Sequence, residues 1–150
     1  MGVVSNPQVI ALDTNLLVYA HRSGVSEHMS ARHAIDRASE DPRGWGVALP
    51  TVAEFWMNVT HPAAAGGPST SKQAGDFLHA ILIDGPGTVW MPREPFWTRC
   101  IQLASDLNVR GLRIFDLQIG LIAFDNGATE IWTHDRDFAG LPGLRVHDPL

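Results

Sequence analysis

Short β-prone runs alternate along the whole sequence with longer stretches of helical periodicity, and few folds accept that order. Gln8 to Leu12 is a brief apolar run, and Leu16, Leu17, Val18 and Tyr19 follow once Asp13, Thr14 and Asn15 have passed, which reads as strand, turn and helix. Between Ser26 and Glu40 the apolar points Met29, Ala31, Ala34, Ile35 and Ala38 recur at helical spacing, and Asp41, Pro42, Arg43 and Gly44 end that helix. The same logic predicts a strand over Trp45 to Leu49, a helix over Thr51 to Thr60 closed by Pro62, a helix over Lys72 to Ile83, a strand over Thr88 to Met91 and a helix over Glu94 to Asn108. Ile114 to Phe124 is apolar nearly all round, as a helix buried between layers is. Thr129 to Trp132 and Leu144 to Val146 supply the last two strands. Such alternation predicts an α/β fold with a central, mainly parallel five-stranded sheet sandwiched by helices.

A chain of 150 residues, 45% of them apolar, is long enough for one domain spanning 1–150. The Ala-, Gly-, Pro- and Ser-rich stretch from Ala63 to Ser71 is expected to be a loop or hinge, a candidate mobile element, because too little chain lies on either side for a domain linker. Cys100 is the only cysteine; it lies mid-helix among apolar residues and is expected in the core. Without a disulfide or a zinc-spaced Cys/His cluster, a reducing, cytoplasmic setting is expected. The apolar stretch from Val9 to Ala20 is interrupted by Asp13 and Asn15, so neither a signal peptide nor a membrane span is expected.

Lys plus Arg number 11 and Asp plus Glu 16, a net charge of −5, which at first argues against a nucleic-acid partner. Location of the acids changes that. Asp13 ends a hydrophobic strand, where a charge is costly to bury unless a cation or several donors meet it; the bland alternative is an N-cap on the helix that follows. Glu54 sits in Thr51-Val52-Ala53-Glu54, the pattern of a capping box. Asp116 opens a helix flanked by Ile114, Phe115, Leu117 and Ile119, and the ~0.3–1 kcal/mol that a helix N-terminus offers does not cover several kcal/mol of desolvation. Asp135 and Asp137 lie in Thr133-His134-Asp135-Arg136-Asp137, where an Asx-turn and an exposed Asp–Arg pair are the ordinary reading. Four acids at element ends of one small α/β domain nevertheless point to a shared site, since ligands bind outside the carboxyl ends of parallel strands. Oxygen-only clusters suit Mg²⁺ or Mn²⁺, and the chemistry such ions serve is phosphodiester hydrolysis. Two such ions would add four positive charges and bring −5 to −1. His134 reads as a turn histidine on the surface, with a proton shuttle as the sharper alternative. The tryptophans read as core and interface residues, with Trp45 and Trp56 the two that could stack on a base.

Four segments, LDTNLLVYA with Asp13, TVAEFWMNVTHP with Glu54, RIFDLQIGLIA with Asp116 and WTHDRDFAGLPGLRVHDPL with Asp135 and Asp137, together resemble the PIN-domain family, and more narrowly the VapC toxins of VapBC toxin–antitoxin systems. The resemblance implies a three-layer α/β/α domain, Mg²⁺- or Mn²⁺-dependent cleavage of RNA, homodimerisation and a VapB-type antitoxin partner. It implies Asp13 and Asp116 as metal ligands, with Glu54 and Asp135 completing the acidic quartet and Asp137, Asn15 and Thr133 expected behind them. The residues after the third acid, Leu117 and Gln118, depart from the small residues many relatives have. A dimer or antitoxin surface is expected around Phe55, Trp56 and Val59. Haloacid-dehalogenase-type enzymes fit poorly, because Asn15 stands where they need a second Asp, and receiver domains fit poorly because the single Lys, Lys72, is mid-chain. The remaining alternative is a catalytically silent PIN-like interaction module whose acidic groove takes a basic arm from a partner.

Overall fold

Ile10, Ala11 and Leu12 are all buried, so the strand they form is covered on both faces and must lie inside a sheet. The computed structural model describes residues 9–150, in which this strand, β1 (Ile10–Leu12), is followed by α1 (Thr14–His21), α2 (His28–Ser39), β2 (Trp45–Ala48), α3 (Leu49–Thr60), α4 (Ser71–Leu82), β3 (Gly87–Trp90), α5 (Phe96–Asp106), α6 (Arg113–Asp125), β4 (Glu130–Trp132) and β5 (Arg145–His147). The strands form one five-stranded sheet in the order β3-β2-β1-β4-β5, parallel throughout. Gln8, expected to open the first strand, lies outside the described residues.

Side chains alternate across each strand, and this alternation divides the interior in two. Ile10, Leu12, Trp45, Val47 and Trp132 face a core built with Leu16, Leu17, Ala34, Phe55, Val59 and Leu78 from α1 to α4. Ala11, Ala48 and Ile131 face the other core, with Cys100 of α5 and Leu117, Ile119 and Leu121–Ala123 of α6. The result is helix, sheet, helix: three layers, as expected. Gly46 belongs to the second face, where a Cβ would collide with the Trp90 ring.

Several expectations are corrected. Leu49 leaves the second strand and opens α3, with Pro50 in the first turn, where a missing N–H costs no helical bond. The Thr51–Glu54 capping box does not form: Ala48 is the N-cap residue, without a side-chain bond. Phe55 and Val59 have no exposed surface, so neither contributes to a docking face; Trp56 and Met57, at 39% and 58% exposure, occupy the outward side of the same helix. Trp45 is buried with its indole N–H on Ser39 Oγ at 2.9 Å and cannot stack on a base. Ser71 belongs to α4, whose N-cap Thr70 forms a reciprocal capping box with Gln73. The loop before it is tied down: Ser69 N–H donates to the Val59 carbonyl at 2.7 Å, the Arg22 guanidinium reaches the carbonyls of Val59 and Gly67, and His21 Nε2 meets Ser69 Oγ at 2.8 Å. Cys100 is a free, buried thiol, as expected. Among the described residues no helix is long and apolar enough to cross a membrane.

Candidate active site

From β1 the chain builds outward through β2 to β3 and then returns to the other side of β1 for β4 and β5. The carboxyl ends of β1 and β4 therefore flank a topological switch point, the place where parallel sheets open a crevice. A cleft of about 290 Å³ opens there, lined by Asp13, Thr14, Asn15, Val18, Tyr19, Glu54, Asn58, Asp116 and Asp135. All four acids expected from the sequence line it, each from a different element or turn.

Asp13 follows β1 and caps α1, so the capping alternative holds, but the cap is only part of its role. Its Oδ1 accepts the Thr14 N–H at 2.8 Å, and its Oδ2 accepts the Thr133 hydroxyl at 2.8 Å and the Asn15 amide at 3.2 Å. Asn15 also donates to Thr133 Oγ1 at 3.0 Å and accepts the His134 N–H at 3.0 Å, stitching the turn after β1 to the turn after β4. Asn15 and Thr133 thus both hold the Asp13 carboxylate by hydrogen bonds. Burial pushes the Asp13 carboxyl up to about 6; the bonds from Thr133 and Thr14 oppose this, and the charges of Asp116 and Glu54 add to it.

Glu54 projects from α3 and accepts the Thr14 hydroxyl at 2.7 Å on Oε2. Asp116, in the first turn of α6, is likewise pushed up by burial; the Ala139 N–H relieves it, Asp135 and Glu54 repel it, and Arg113 attracts it. Asp135 is exposed and forms the expected Asx-turn, its Oδ1 accepting the Asp137 N–H at 2.9 Å. The Asp137 carboxylate is a correction: exposed and outside the cleft, it makes no ion pair with Arg136 among the described residues, and its backbone alone joins the network. His134 is partly exposed and paired through Nδ1 with Asp148 at 2.9 Å, the turn position expected of it.

Thr14, Tyr19 and Asn58 were not foreseen. Tyr19 is four residues from Asn15 and Asn58 four from Glu54, so each shares a helical face with a residue already singled out, and that spacing was the available signal. Among the described residues no Lys or Arg lines the cleft, and the Asp13 and Asp116 carboxyls, both pushed up chiefly by burial, face it beside Glu54 and Asp135. Oxygen donors of this kind fit a hard divalent ion. Among the described residues no three of them gather closely enough to enclose a single ion.

A PIN domain model matches residues 10–144, and the chain belongs to the PIN-domain family. Over 142 residues it is 32% identical to Ribonuclease VapC43 of Mycobacterium tuberculosis, covering 95% of this chain and 96% of that one, a likeness that sets it among the VapC ribonucleases within the family. Its fold is shared with VapBC2 from Rickettsia felis, solved bound to a DNA fragment from their promoter (TM-score 0.69, 17% identity, 94% of this chain and 98% of the other). It is shared also with Mycobacterium tuberculosis VapC20, a Sarcin-Ricin loop cleaving toxin (TM-score 0.66, 13% identity, 86% and 92%).

Proposed function

We propose that this protein is a Mg²⁺- or Mn²⁺-dependent endoribonuclease, the toxin of a type II toxin–antitoxin pair, acting in the cytoplasm and cutting RNA phosphodiester bonds at the cleft beside β1 and β4. The observation that carries this reading is the meeting of four carboxylates from four parts of the fold in one cleft that, among the described residues, has no Lys or Arg in its lining. Asp13 and Asp116 are the residues that would hold the ion, with Glu54 and Asp135 at its flanks. A divalent ion bound there supplies Lewis acidity toward a phosphodiester and lowers the pKa of water.

The chain's own residues prepare that site. Thr133 and Asn15 fix Asp13 Oδ2 while the Thr14 N–H fixes Oδ1, so the carboxylate is oriented before any ligand arrives. Thr14 restrains one oxygen of Glu54 and leaves the other free. Tyr19 and Asn58 give the rim an aromatic face and an amide, groups that stack on and hydrogen-bond to unpaired bases. Endonucleolytic cleavage of total cellular RNA by the antitoxin-free protein, with Mg²⁺ or Mn²⁺ against EDTA, tests the reading. Discrete fragments that vanish with EDTA are expected. A folded, partner-free protein that cuts nothing with either ion favours the silent interaction module.

The antitoxin partner accords with the VapBC2 neighbour. A homodimer is proposed as well, using exposed apolar side chains such as Trp56 and Met57 of α3 and Trp97 and Ile101 of α5. Sedimentation at high micromolar concentration should give a dimer mass; a monodisperse monomer would exclude it.

A further inference from the structure

The segment that follows β4 ties the three cleft aspartates together. Thr133 Oγ1 donates to Asp13 and accepts the Asp135 N–H at 3.1 Å; Asp135 Oδ1 accepts the Asp137 N–H at 2.9 Å; and the Ala139 N–H reaches Asp116 Oδ2 at 3.4 Å. The strap is firmly bonded at its start to the beginning of α1, through Thr133 on Asp13 and through the His134 N–H on Asn15 Oδ1. Its attachment to α6 is weaker, because a 3.4 Å bond is long for N–H···O. The buried Phe138 ring anchors it too, but an apolar contact has no direction and does not orient a carboxylate.

One directional bond remains. Arg113 opens α6, three residues before Asp116 and so on the same helical face, and its Nη1 donates to the Asp137 carbonyl oxygen at 2.7 Å. This bond fastens the strap to the first turn of the helix that carries Asp116, at the point where the Asx-turn of Asp135 closes. Among the described residues the Arg113 side chain makes no other hydrogen bond, and no ion pair competes for it.

We propose that Arg113 is a positioning residue of the metal site, setting the approach of Asp135 to Asp116 by clamping the Asp137 carbonyl to α6. The inference rests on the reading of the cleft as a metal site. It assigns Arg113 no contact with RNA. Groups that orient ligating carboxylates govern metal affinity and activity by roughly 10–100-fold, and a clamp should act on kcat and metal binding while sparing the KM for RNA.

The test uses the full chain free of antitoxin, with Arg113→Ala, Arg113→Lys and, as a control at a nearby arginine outside the clamp, Arg110→Ala, each checked for folding by thermal melting. Mn²⁺ titration by calorimetry, steady-state RNA cleavage and amide hydrogen exchange of the metal-free protein are the readouts. Arg113→Ala should weaken Mn²⁺ binding and lower kcat by roughly tenfold or more, leave KM unchanged and speed exchange of the Asp137 and Ala139 amides, while Arg113→Lys recovers most of the loss and Arg110→Ala shows none. Unchanged Mn²⁺ affinity and unchanged exchange in Arg113→Ala would overturn the proposal. So would a raised KM with intact kcat and Mn²⁺ affinity, which would make Arg113 an RNA-phosphate contact. A wild-type protein that binds no Mn²⁺ would instead overturn the metal reading itself, and the positioning role with it.

Discussion

Asp116→Asn should yield a folded protein that no longer cuts RNA. Asn has the shape of Asp and its Oδ1 can still accept the Ala139 N–H, so the packing of Leu117 and Ile119, which follow it in α6, is undisturbed. What it removes is a charge that burial disfavours and that Asp135 and Glu54 repel. The helix N-terminus returns only ~0.3–1 kcal/mol to that charge, so the variant should melt at the wild-type temperature or slightly above it. Activity should fall on the order of a hundredfold or more, the scale seen when one preorganised electrostatic partner is lost from a reacting centre. Thermal melting and cleavage assays on the same preparation check both halves, and undiminished hydrolysis would refute the assignment of Asp116.

A second large effect concerns the metal-free protein and pH. The Asp13 carboxyl stands at about 6 in the fold against an ordinary 3.8, so between these values the folded state binds the proton and the unfolded state does not. Stability from this group is complete below the ordinary value and is lost as pH rises through 6, a total on the order of 3 kcal/mol. A divalent ion reverses the balance by favouring the carboxylate. At a hundred times its Kd it should add about 2.7 kcal/mol, which for a chain of this length raises Tm by roughly 5–10 °C. The gain should be large at pH 7.5 and shrink toward pH 5, where protons compete for Asp13. Melting curves with Mn²⁺ and with EDTA at the two pH values decide it; identical midpoints at pH 7.5 would show that these carboxylates hold no ion.

What the sequence revealed depended on how local each feature is. The strands and helices follow from periodicity, and the acids stood out because charged residues at the ends of apolar elements need a reason. Capping patterns were less dependable. Thr51 to Glu54 and Thr70 to Gln73 satisfy the same spacing, yet only the second forms a box, because α3 starts two residues before Thr51 and Glu54 is drawn to Thr14 instead. The outward and inward sides of α3 were confused for a related reason: Phe55, Trp56 and Val59 are all apolar, and which of them meets the core is settled by α4, whose Phe77 ring stacks on Phe55 at 5.2 Å. Contacts such as Asn15 with Thr133 and Arg113 with Asp137 join distant segments through their polar groups, and no periodicity announces them.

The central place of β1 also bears on how the protein is made. Thr133, which orients Asp13, lies 120 residues further along the chain, and β4, which flanks β1 in the sheet, pairs with it in register. A nascent chain still lacking β4 already holds Asp13, Glu54 and Asp116, but Asp13 has no Thr133 to set its carboxylate and β1 has lost one of its two neighbours. The cleft is completed only when the turn after β4 has left the ribosome, so the RNA-cutting site of the chain stays unfinished, beside ribosomal RNA, until a segment 120 residues beyond Asp13 has been made.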